Sequence, residues 1–128
     1  MLQDSNGNPI ETHRGNSIRG VSEEKIQLML AFLCGAVRAR CADCQGQQFA
    51  ARDLLGGINY FWEGTPMEVL FTKYCDEGYP AEEAIKLAGI TAGHLLKRVL
   101  IEDKYRTYIQ GDAGLVNGYT WIGDDSNR

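Results

Sequence analysis

The stretch from Ser22 to Gln45 constrains the fold more than any other part of the chain. Ser22 is placed to cap a helix, and Glu23 and Glu24 fall in its first turn. A serine hydroxyl accepts from a free backbone N–H, and carboxylates suit the positive end of the helix dipole. Val21 is spaced to staple to Ile26. Ile26, Leu30, Leu33, Val37 and Cys44 fall on one face, which Leu28, Met29, Phe32 and Ala36 widen. A helix that is apolar nearly all round is buried, so this segment is expected to be the central helix. It should end near Gln45, with Gly46 as a left-handed cap.

The rest of the chain is expected to wrap that helix. Gln47 to Leu55 reads as a short helix stopped by Gly56 and Gly57, and Ile58 to Gly64 as an extended crossing segment. In Thr65-Pro66-Met67-Glu68, Thr65 and Glu68 have capping-box spacing, and Pro66 stands where its missing N–H costs nothing. That helix should run to about Glu77 and stop at Gly78. Two further helices, Pro80 to Ala88 and Ala92 to Asp103, are expected around a turn at Gly89, with Thr91 capping the second. The tail alternates β-branched and aromatic residues. It reads as a hairpin, Tyr105 to Gln110 against Gly118 to Ile122, with Gly111 to Asn117 as its tip.

The expected fold class is therefore mainly α: a compact bundle of about five helices around the buried central helix (22–45), with a small C-terminal β-hairpin. Residues 1–20, rich in Asn, Gly and Ser, read as a flexible or irregular arm that Ile10 and Ile18 can pin. Residues 21–123 form the single globular domain, and 124–128 fray.

Composition bounds the function. The chain has 128 residues, is 44% hydrophobic and 23% charged, and carries a formal net charge of -4. This is ordinary for one globular domain. Six basic and six acidic residues lie between Met1 and Gly57, so all the net negative charge falls after Gly57. No apolar run suffices for a signal peptide or a membrane span. Cys34, Cys41, Cys44 and Cys75 then default to thiols in a cytoplasmic setting. Short acidic chains without a catalytic constellation are common among phage and gene-cassette accessory proteins.

Glu82 to Val99 poses the sharpest question, because its spacing matches a DNA-reading helix-turn-helix. The chemistry fits poorly. The residues that would face base edges are Ala92, Gly93, His94, Leu95 and Leu96, and only His94 can donate. Lys97, Arg98 and Arg106 lie further along. Met67 to Arg106 holds six basic and seven acidic residues, with no excess to neutralise phosphate. Nucleic acid is the alternative partner, and a structural helix pair the main reading.

Cys41 and Cys44 have zinc-like spacing, but only Cys34, Cys75, His13 and His94 remain to complete four ligands, and none makes a second pair. Packing thiols are expected, with no metal or cofactor. A small enzyme would have Cys75, His94 and Glu63 to work with. Arg38 and Arg40 near the negative helix pole need no ligand there, although with Arg52 they could gather an anion. Arg52, Asn59, Tyr60, Trp62 and Glu63 combine aromatic faces, charges and an amide beside two glycines. That is interface or small-ligand composition, with Trp62 or Tyr60 as the exposed member, although core filling by Tyr60, Phe61 and Trp62 is the main reading of the aromatics themselves. The leading reading is a binding module for a protein partner, itself or a small ligand, with no membrane association and no catalytic residues.

Overall fold

The computed structural model describes residues 1–43, 46–55, 62–113 and 116–124. In chain order they form β1 (Leu2–Gln3), β2 (Pro9–Ile10), α1 (Glu23–Asp43), α2 (Ala51–Leu54), α3 (Glu68–Asp76), α4 (Ala81–Glu102), β3 (Arg106–Ala113) and β4 (Val116–Asp124). The architecture is mixed α/β: four helices and a four-stranded sheet in the order β2-β1-β3-β4. This replaces the expected five-helix bundle with a small hairpin.

Two elements account for the difference. Residues 81–102 are one 22-residue helix, so there is no turn at Gly89 and no helix-turn-helix. Ala84, Ala88, Thr91, Ala92, Leu95, Leu96 and Leu100 make an unbroken buried stripe along it. A glycine inside a helix costs only about 1 kcal/mol against alanine, less than burying one leucine side chain contributes. The second element is the arm. Leu2 and Gln3 pair in parallel with Tyr108 and Ile109, and Pro9 and Ile10 fold back antiparallel on them. The Asp4 carboxylate holds the reversal by accepting from the N–H groups of Asn6 and Asn8, both at 2.9 Å. Leu2 is fully buried, so the arm contributes to the core.

The core has two lobes. Ile26, Met29, Leu30 and Leu33 of α1 pack with Leu70 of α3, Ala88, Ala92 and Leu95 of α4, and Leu55, Trp62 and Met67. Further along the same helices, Val37, Cys41, Leu96 and Leu100 meet the sheet through Leu2, Tyr108 and Tyr119, with Phe49 beside them. α1 and α4 thus span both lobes. Phe49 bridges Tyr119 on the outer side of β4, so Gln47 to Ala50 is extended and only Ala51–Leu54 is helical.

Several local expectations hold in modified form. Gly46 and Gly78 both have positive φ, as helix-ending glycines do. The Thr65 hydroxyl accepts from the Met67 N–H, but Glu68 reaches Gly64 N–H, and α3 starts at Glu68 rather than Pro66. The hairpin strands run on to Ala113 and from Val116, through most of the expected tip. Among the described residues no helix is long and apolar enough to cross a membrane.

Candidate functional site

The loop singled out by composition does not assemble around Trp62. That side chain is 3% exposed and belongs to the helical lobe, which removes it from the expected ligand surface. Its large apolar ring is better used in the lobe that holds Met67 and Leu70 than in solvent. Arg52 on α2 and Glu63 are exposed, while Asn59 and Tyr60 lie outside the described residues.

The basic residues proposed for DNA are also deployed elsewhere. His94 is half-buried, and burial, followed by the charges of Arg14 and Lys97, holds its pKa below the ordinary histidine value. Arg98 pairs with Glu102 at 3.2 Å and donates to the Gly15 carbonyl at 3.0 Å. The arm residue Gly15 approaches so closely that a Cβ there would lie 2.9 Å from the His94 carbonyl oxygen. The chain's own arm therefore covers the His94–Arg98 face. Arg106 is on β3, with its guanidinium 4.5 Å from the Trp121 ring centroid.

Cys34 is half-buried, Cys41 buried and Cys75 exposed, all free, and Cys44 lies outside the described residues. His13 Nδ1 accepts from the Gly15 N–H at 3.0 Å. Among the described residues no group of three His, Cys, Asp or Glu is placed to hold a metal ion, and no hydrogen bond links Cys75 to His94.

Two features appear only in three dimensions. The first is the open face of α1. Leu28 is 55% exposed, and Ala31, Gly35, Ala39 and Ala42 are exposed along the same side. This corrects the expectation of a helix buried nearly all round. Beside Leu28 lies a groove of about 380 Å³, lined by Pro66 and Val69 and rimmed by Lys25, Thr65, Glu68 and Thr72.

The second is a polar cluster where α1 meets the end of α4 and the start of β3. Asp103 accepts from the Tyr105 N–H at 2.8 Å, the Arg106 N–H at 3.1 Å and the Tyr108 hydroxyl at 2.7 Å. Arg38 reaches it at 3.4 Å. Burial alone would raise the Asp103 pKa, but the Tyr108 hydroxyl, the Tyr105 N–H, the Arg38 charge and the Arg106 N–H together hold it below the usual aspartate value. Burial pushes the Cys41 thiol up, against the pull of Arg106, which is within hydrogen-bond reach. Burial, then the bond to Asp103, pushes the Tyr108 phenol up. Arg38 was legible as a candidate anion ligand. Its neighbour in space is Arg106, which lies 68 positions away in the sequence.

Searches against protein-family models, curated proteins and solved structures found no match to this chain.

Proposed function

We propose that this chain is a binding module that acts through the open face of α1, and that the partner is a second copy of itself. The observation that carries the reading is the run of exposed residues on that face. From Leu28 onward they are Leu28, Ala31, Gly35, Ala39 and Ala42, where a solvated helix would present charged side chains. Leu28, Gly35 and Ala42 repeat every seven residues, the period at which two helices keep a seam in contact. Small side chains let the helix axes approach closely. Two copies related by a twofold axis at Gly35 would set Leu28 opposite Ala42, so the face complements itself.

Light scattering after size-exclusion chromatography, over rising protein concentration, tests this. The wild-type chain is expected at twice its 14.2 kDa mass and the exposed variant Gly35→Arg at one chain mass. A wild-type chain that stays monomeric at the highest concentrations removes the self-association reading. Random duplex DNA is expected to leave the elution unchanged. A salt-sensitive shift would reinstate nucleic acid, through Lys97, Arg98 and Arg106.

A further inference from the structure

We infer that the corner between α1 and the start of β3 binds a small oxyanion, the carboxylate or phosphate group of a small molecule, between Arg38 and Arg106 with the Trp121 indole alongside. Arg38 and Arg106 supply two positive charges and Asp103 one negative charge. Cys41 and Tyr108 stay neutral, because burial disfavours both their anions. Among these five side chains the positive charges outnumber the negative by one, and across the strands Arg106 stands opposite Asp124.

Hydrogen bonding points the same way. Asp103 is already committed to two backbone N–H groups and the Tyr108 hydroxyl, with Arg38 at the edge of its reach. Arg38 Nε, Arg106 Nη1 and Trp121 Nε1 are buried and have no acceptor. A buried donor without a partner is uncommon and costs about 1–3 kcal/mol, more when charged. Here three such donors belong to one neighbourhood. Trp121 stands across the strands from Tyr108 and lies against the Arg106 guanidinium. Arg38 and Cys41 are one turn apart on α1, and Cys41 touches the field of both arginines. The orphan acceptor nearby, Gln110 Oε1, is uncharged and lies two positions past Tyr108 on β3.

The corner borders solvent at Arg38 and is preorganised. The Arg38 side chain is 39% exposed. The Tyr105 ring lies 5.8 Å from the Arg38 guanidinium, and Trp121 stacks on Arg106, so aromatic faces restrain both planar forks. An oxyanion offers several acceptor oxygens at once, and guanidinium forks match carboxylate and phosphate geometry.

The test follows the Trp121 indole N–H in nitrogen-15 NMR spectra, assigned with Trp121→Phe. Inorganic phosphate and acetate are titrated separately against chloride at matched ionic strength. The expected result is a saturable shift with one of them beyond that of chloride, weakened about tenfold or more in Arg106→Gln and in Arg38→Gln. Saturation by phosphate assigns a phosphate group, and saturation by acetate a carboxylate. Arg38→Gln keeps the Asp103 bonds to Tyr105, Arg106 and Tyr108, so it serves if Arg106→Gln fails to fold. Responses no larger than chloride's, or variants that bind like wild type, overturn the inference. The α1 face plays no part in this readout, so loss of self-association leaves it standing.

Discussion

A methyl group on Gly15 would meet the His94 carbonyl oxygen at 2.9 Å and the Arg98 Cβ at 3.4 Å, and the first of these is backbone that cannot rotate away. Gly15→Ala is therefore expected to lower stability by about 1–3 kcal/mol in urea unfolding, by prising the arm off α4. Asp103 is the other residue on which local geometry turns. Its carboxylate joins the end of α4, the start of β3 and Arg38, and Asp103→Asn removes charge-assisted bonds worth about 1.5–3 kcal/mol each at most. The sign of the pH effect follows from its depressed pKa. Its contribution is fully present above the unfolded aspartate value, about 3.9, and is lost as pH falls through the folded value. The depressed His94 pKa adds a shallower loss that begins as pH falls through the unfolded histidine value, about 6.5, where the unfolded chain takes up a proton first. Unfolding free energies measured against pH should fall more steeply in acid for wild type than for Asp103→Asn. His94→Gln should flatten the decline between neutral pH and the carboxylate range.

At the scale of elements, α4 is decided by its buried stripe and not by its glycines. Gly93 lies inside the helix, and a Cβ there would meet nothing within 4 Å. Gly93→Ala should therefore stabilise the protein by about 0.5–1 kcal/mol, through helix propensity and a less flexible unfolded chain. Exposed Gly35, equally open, should respond alike in a monomeric background. Hydrogen exchange offers a direct check on continuity: amides from Ala88 to Ala92 should be as protected as those on either side. A fast-exchanging window there would restore the two-helix reading.

Across the whole molecule, the two lobes of the core share α1 and α4, so neither lobe can lose its helices alone. Unfolding should be a single cooperative transition. Trp62 reports from the helical lobe and Trp121 from the sheet, and their signals should vanish at the same urea concentration. Leu2→Ala, in the core of the sheet lobe, should cost about 2–5 kcal/mol and lower both midpoints together. Two separate midpoints would show that the lobes fold independently.

The sequence by itself determined what is local. The start of α1, the end of α3 at Gly78, the left-handed Gly46 and a hairpin between the strands around Tyr108 and Trp121 all follow from caps, turn glycines and alternation within a few positions, whereas the run of β4 on to Asp124 does not. It also showed that Met67 to Arg106, with six basic and seven acidic residues, has no basic excess to neutralise phosphate. Tertiary contacts decided the rest. Leu2 and Gln3 carry too short a pattern to announce a strand, and they become one because the edge of β3 offers unpaired backbone groups. Gly89 looked like a turn because an isolated glycine weakens a helix locally, and only the stripe packed against α1 outweighs it. Leu28 faces solvent instead of widening a buried face, and Trp62 fills the core instead of serving as the exposed aromatic, for the same reason. Which side of an element faces its neighbours depends on which neighbours arrive, and spacing along one segment holds no record of that.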